Sequence, residues 1–228
     1  MFHNKEEAEE SFWISYADLA TGFMMAFIVI SLLLYNRDEE TNKIKSKYAE
    51  LAEVFKDKFK DEPSIEVNES EGTVRFLAND GQQVLFADNS DELTPYFKAL
   101  LNRFTPIYFD EVQRVRRDSA ESRVIIKEIR IEGHASNTGS YVTNLDLSSR
   151  RALSVYRFVA SSSYYNQQIE ADFRKFIQQN TISCGYSFSR PIDSKGKVVL
   201  DSDDGIPDND KSRRVEFRIL LEYKPKDK

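Results

Sequence analysis

The sequence predicts an α/β fold preceded by a single membrane-crossing helix and a helical linker. Three observations carry this: an apolar run from Phe12 to Tyr35, a charged amphipathic run after it, and segments of strand and helix pattern alternating from Ser64 onward. Mixing the two periods within one region is the signature of helices laid on one face of a mixed sheet, an α/β sandwich.

Composition narrows the function before any motif is read. The 228 residues carry a formal net charge of -6, which argues against a nucleic-acid surface, because nothing replaces the condensed counterions. One cysteine, Cys184, excludes an internal disulfide, and the only histidines, His3 and His134, lie far apart. No phosphate-binding glycine loop, dinucleotide fingerprint or nucleophile elbow is present. The expectation is a protein that is not an enzyme and has no cofactor or resident metal.

Residues 1–11 form a short acidic tail. Residues 12–35 supply about the ~20 apolar residues that a helix needs to cross a bilayer, with Trp13 and Tyr16 near one end and Tyr35 at the other, as interfacial aromatics are placed. A cleaved signal would have a basic start, a shorter core and a small-residue cleavage site, all missing here. Within this run stands one acid, Asp18, roughly 7–8 Å past Trp13 along the helix axis. A carboxylate deep in a membrane costs roughly 2.5–3.5 kcal/mol, so such groups are functional by default. Ser11, Ser15, Asp18, Thr21, Gly22 and Met25 share one helix face, a small and polar stripe suited to partner helices.

Residues 36–63 are charged, with Ile44, Tyr48, Leu51, Phe55 and Phe59 recurring at helical steps until Pro63 ends the pattern. Such a stripe dimerises or covers part of the next domain. From 64 to 228 strands are expected at 73–78, 82–87, 124–134, 182–188 and 213–223. Helices are expected at 92–118, bent or divided at Pro106, at 147–162 with a cap near Asp146 and Ser148, and at about 167–180. The acidic cluster Asp201, Asp203, Asp204, Asp208 and Asp210 lacks the glycine and glutamate positions of a calcium loop and reads as a mobile polar loop.

Two resemblances give these parts a meaning. The run WISYADLATGFMMAFIVISLLLY resembles the transmembrane signature of the MotB family of flagellar stators, with Tyr16, Ala17, Asp18 and Thr21 on its pattern. The resemblance implies that Asp18 carries an ion, H⁺ or Na⁺, with Thr21 supporting it one helical turn away. The segments VLFADNSDELTPYFKALLNRF, IRIEGHASNTGSYVTNLDLSSRRALSVYRFV and DKSRRVEFRIL are similar to the OmpA-like peptidoglycan-binding domain. That domain implies Arg151 as the fork for a stem-peptide carboxylate, Asn144 as an amide partner, and backbone around Asn137–Gly139 and Leu145 lining the pocket. Ser136 stands where the family pattern has an Asp. Read without the resemblance, Arg150 and Arg151 are solvated residues of a helix's first turn, and His134 is a packed or rim residue.

A wall-binding domain implies a periplasmic C-terminal part and a cytoplasmic residue 1–11 tail in the bacterial inner membrane, overriding the flank charges Arg37, Lys43, Lys45 and Lys47. One helix makes no channel, so the resemblance also implies a MotA-like polytopic partner forming a ring around a dimer of this chain. The short acidic tail, compact linker and Ser136 make the chain more similar to the MotB-like subunits of Zorya anti-phage defence motors than to flagellar stators. A plain membrane-to-wall tether is the alternative from another class.

Overall fold

The computed structural model describes residues 3–78, 84–201 and 205–224. They fall into two compact units, residues 1–43 and residues 44–228, and helix α1 (His3–Phe59) contributes to both. The first unit is this helix alone. Part of α1 is long and apolar enough to cross a membrane, and that part is wholly unburied.

The second unit holds a five-stranded sheet in the order β1-β2-β5-β3-β4. Its strands are β1 (Ile65–Asn68), β2 (Thr73–Leu77), β3 (Val124–Gly133), β4 (Thr181–Gly185) and β5 (Arg214–Tyr223). β3 and β4 pair in parallel and the other neighbours antiparallel, so the sheet is mixed. The helices are α2 (Pro95–Ser122), α3 (Tyr141–Ser161), α4 (Ala171–Asn180) and the short α5 (Asn209–Ser212), with a π-helical turn at Tyr164–Gln168.

Strand alternation sends Val74 and Phe76 of β2 and Val215, Phe217, Ile219 and Leu221 of β5 into one buried cluster. β3 joins it through Val124 and Ile126, then through Ile129 and Ile131, because a register shift between Ile126 and Glu128 moves the inward set by one residue. Against that face pack α2, α3 and the final turns of α1, whose Leu51 and Phe55 are fully buried. The Phe55 ring stacks on Tyr108 at 5.8 Å, and Phe59 lies 5.6 Å from Phe104. Each such side chain contributes about 1.5–3 kcal/mol on burial. Leu221 N–H also donates to Tyr48 Oη at 3.0 Å. The stripe read in the linker therefore covers the domain's own core.

Several element boundaries differ from expectation. α2 runs unbroken through Pro106. α3 begins at Tyr141, not 147, because Ser140 is its N-cap, its hydroxyl accepting from Thr143 N–H at 3.1 Å. Residues 84–87 form no strand. They make only the bridge Phe86–Leu93, while the remainder of the expected 82–87 strand lies outside the described residues. β1 was not foreseen.

Candidate functional site

The opposite sheet face is charged. Glu216, fully buried, accepts from Arg75 Nε at 3.0 Å, Arg214 Nε at 2.5 Å and Arg218 at 3.0 Å. Burial alone would raise its pKa, but Arg214 and the surrounding charges hold it far below the usual carboxylate range. Beside it, Glu132 and His134 are also buried. Ligand atoms of Glu132, His134 and Glu216 lie within 4.8 Å of one another. Three guanidiniums already occupy Glu216, however, so this node is built as an ion-pair network, and a divalent cation would enter against those charges. Burial, then Arg214, pushes the His134 pKa down, leaving a neutral ring stacked on Tyr186 at 5.1 Å. The packed role expected for His134 is the one it has.

The network ends where β3 meets α3. An added Cβ at Gly133 would sit 2.1 Å from the Ser148 carbonyl oxygen, and one at Gly185 would sit 2.4 Å from Ser149 N. Only glycine permits this approach, and it brings the first turns of α3 against the C-terminal ends of two parallel strands, where ligand crevices form in α/β sheets. Asn144 Nδ2 donates to Thr138 O at 2.8 Å, closing the loop between β3 and α3.

A cavity of about 750 Å³ opens there. Its walls include Phe86, Asp88, Ser136, Asn144, Arg151 and Arg213. Arg151 belongs to the third turn of α3 rather than the first turn of a helix. Its Nε donates to Ser90 O at 2.9 Å, and its guanidinium lies 4.8 Å above the Phe86 ring. Burial, then the neighbouring Arg213, lowers its pKa, the mark of a cation short of anions. Arg150 instead points to Asp91 at 2.7 Å and Asp146 at 3.0 Å and is a surface ion-pair residue.

Of the residues expected at a wall-binding site, Ser136, Asn144 and Arg151 meet at this cavity. Asn137 is exposed and Leu145 half-buried; neither side chain is part of the cavity wall, and Leu147 occupies that wall instead. Phe86, Asp88 and Arg213 were missed, since they come from segments distant in sequence. Asp208 caps α5, accepting from Asp210 and Lys211 N–H at 3.0 Å, and Asp210 pairs with Arg213. Residues 202–204 of the acidic cluster lie outside the described residues.

In the first unit, Asp18 and Thr21 lie on one side of α1, with Leu19, Phe23 and Met25 around them exposed. Thr21 Oγ1 donates to Ala17 O at 2.7 Å. Among the described residues Asp18 has no hydrogen bond or ion pair.

Residues 85–181 match the OmpA family. The chain is 30% identical to Zorya protein ZorB of Escherichia coli strain Crooks, over 95% of this chain and 90% of that one. It is 27% identical to a Zorya protein ZorB of a second E. coli strain, over 94% and 82%. Among solved structures, a putative MotB-like protein from Desulfovibrio vulgaris aligns over 82% of this chain and 97% of its own, at 20% identity and a TM-score of 0.45.

Proposed function

The chain belongs to the Zorya protein ZorB family, and on that premise we propose that it is the peptidoglycan-anchored subunit of an ion-driven motor in the bacterial inner membrane. The observation that carries the motor reading is Asp18: an acid with no hydrogen bond or ion pair among the described residues, on a helix surface whose large side chains are apolar. Ionised, it is incompatible with a dry apolar neighbour; neutralised by H⁺ or Na⁺, it is compatible. Each charge crossing 100 mV releases about 2.3 kcal/mol, enough to bias a conformational step. Thr21, whose hydroxyl proton is donated to Ala17 O, supports the ion from one turn away with its oxygen. A MotA-like polytopic protein, forming a ring around a dimer of this chain, supplies the remainder of the ion path.

The second unit holds the subunit against the cell wall through the Arg151 cavity, which places it in the periplasm and the N-terminus in the cytoplasm. A fixed subunit lets ion flux turn something else. The role is mechanical, not catalytic, and the output is defence against phage.

The test is phage protection in cells carrying the whole gene neighbourhood, with Asp18 intact or changed to Asn. Asp18→Asn keeps size and polarity but cannot cycle charge. Plaque numbers are expected to rise to those of cells lacking the gene, with the variant still present in the membrane. Full protection by Asp18→Asn would remove the ion-carrying role and leave a membrane-to-wall tether.

A further inference from the structure

One stripe of α3 runs past two openings. Asn144, Leu147 and Arg151 line the cavity already described. Ser154, Phe158 and Ser161, the next residues at three- and four-residue steps, line a second and more open groove of about 450 Å³. The two meet at the Ser90–Asp91 step: Asp88 and Asn89 belong to the cavity, Ser90 and Asp91 to the groove. Arg151 Nε donates to Ser90 O at 2.9 Å, and Ser154 Oγ donates to Asp91 at 2.9 Å. The step is thus fastened to α3 on both sides, which holds the two openings in register along the helix.

The side chains of the groove suit a ligand that is polar without being an ion. Asp91 is already occupied, its two oxygens taken by Arg150 at 2.7 Å and by Ser154. Glu92, Lys98 and Arg157 line the groove, and their side chains have no hydrogen bond or ion pair among the described residues. Two cations therefore offer donors and one carboxylate offers acceptors. An anion would meet Glu92, and a cation would meet Lys98 and Arg157. Phe158, half-buried against the core, and the buried Leu93 give the same groove apolar surface. Charged donors and acceptors beside an aromatic ring match a sugar: its hydroxyl and acetamido groups take charge-assisted hydrogen bonds, and its C–H face packs on the ring.

Spacing says which sugar. Phe158 lies seven residues beyond Arg151, about 10.5 Å along α3. A stem peptide held at Arg151 by its third residue is joined to its sugar through two residues and a lactyl group, about 10 Å when extended. The sugar therefore arrives at the groove when the peptide lies along the α3 stripe.

We propose that this groove is a glycan subsite, which takes the N-acetylated sugar bearing the stem peptide. Lys98 and Arg157 donate to its oxygens, Glu92 accepts from a hydroxyl or amide N–H, and Phe158 packs against the ring. The inference rests on the wall-binding reading and deepens it, because the chain then grips the strand as well as the peptide hanging from it.

The experiment uses the full chain in detergent micelles and two probes, the free stem tripeptide and the same tripeptide on its disaccharide. Pelleting with purified sacculi is measured in parallel. The parent chain is expected to bind the disaccharide-tripeptide about tenfold more tightly than the free tripeptide, as one charge-assisted hydrogen bond or two neutral ones supply. Lys98→Gln with Arg157→Gln is expected to bind both probes at the level of the free tripeptide. Arg117→Gln with Lys175→Gln removes two exposed cations of α2 and α4 outside the groove and is expected to keep the tenfold preference, which separates a sugar contact from general attraction. An undiminished preference in the Lys98→Gln/Arg157→Gln chain, an equal loss in the Arg117→Gln/Lys175→Gln chain, or a parent that binds both probes alike overturns the glycan subsite while wall binding stands. A parent that binds neither probe and does not pellet with sacculi overturns the wall reading itself.

Discussion

The guanidinium of Arg151 sits 4.8 Å above the ring of Phe86, so the cation at the cavity is aimed by an aromatic platform from a segment about sixty residues earlier in the chain. Phe86 is itself buried and packs edge-on against Phe97 at 5.5 Å. Packing on α2 thereby fixes the platform, and the platform fixes the fork.

Replacing that ring should weaken wall binding without removing any hydrogen bond. Cation–π contacts contribute about 0.5–2 kcal/mol, so Phe86→Leu is expected to lower sacculus affinity roughly 2- to 30-fold. Phe86→Tyr keeps a π face and is expected to hold affinity within about twofold. Sacculus pelleting across a protein concentration series measures both. Equal affinity for Phe86→Leu and the parent would show that Arg151 needs no platform.

The final turns of α1 are core, and their substitution should behave accordingly. Phe55→Ala removes a fully buried ring between Tyr108 and Phe104, with an expected loss of about 3–5 kcal/mol. For a domain of this size that corresponds to roughly 6–20 °C in melting temperature. Glu53→Ala, on the exposed side of the same helix, should stay within about 0.5 kcal/mol. Near-UV circular dichroism during heating separates the two. A melt unmoved by Phe55→Ala would mean that the linker is a free stalk.

How much of this was legible depended on whether the signal was local. The helical steps of Leu51, Phe55 and Phe59 and the alternation in β5 are local patterns, and each appears as read. β1 escaped because IEVN is four half-buried residues between acidic flanks, stabilised by pairing with β2 and not by its own composition. The run before Leu93 has strand-forming residues but serves as a cavity wall, so tertiary context overrides propensity there. The start of α3 was set by Ser140, although Tyr141, Val142 and Thr143 present no apolar period. Arg151 and Asn144 were legible from a motif. Phe86 acquires its place beneath Arg151 only once the topology sets the 84–90 segment against α3.

Two glycines hold the strand ends against α3, and the tighter is Gly133. The Cβ of Gly133→Ala would lie 2.1 Å from Ser148 O, a backbone atom that cannot turn away. Separating β3 from α3 is expected to cost at least about 1–3 kcal/mol and to loosen the cavity with it. Gly205→Ala, in open space at φ +59, meets only the left-handed strain of about 1–2 kcal/mol and should leave wall binding intact. Urea unfolding together with sacculus pelleting tests the pair. A stable Gly133→Ala chain with parent binding would mean that the close approach has no bearing on the cavity.

Acid should unfold the second unit in two stages whose signs agree. His134 has a folded pKa below its ordinary 6.5, through burial and then Arg214. Below 6.5 the unfolded chain takes up a proton that the folded chain refuses, so stability falls as pH drops from 6.5 toward the folded value. Glu216 has a folded pKa far below its ordinary 4.5: burial opposes ionisation, and Arg214 with its neighbours overcomes it. Its contribution is complete above 4.5 and is lost as pH falls toward the folded value. Each stage has a limiting slope of about 1.4 kcal/mol per pH unit. Glu132, whose pKa is also lowered, against its own burial, by the nearby His134 and Arg218, adds to the second stage. His134→Gln removes one titrating group and should flatten the profile just below pH 6.5 while leaving the drop below 4.5. Glu216→Gln should instead destabilise by about 3–5 kcal/mol above pH 4.5, because Arg75 and Arg214 are left buried without the Glu216 charge, and by progressively less as pH falls below it. Urea midpoints from pH 3.5 to 8 on the three chains read these slopes. A His134→Gln profile parallel to the parent's would show that His134 takes up its proton equally in both states, and would place the near-neutral acid sensitivity elsewhere in the network.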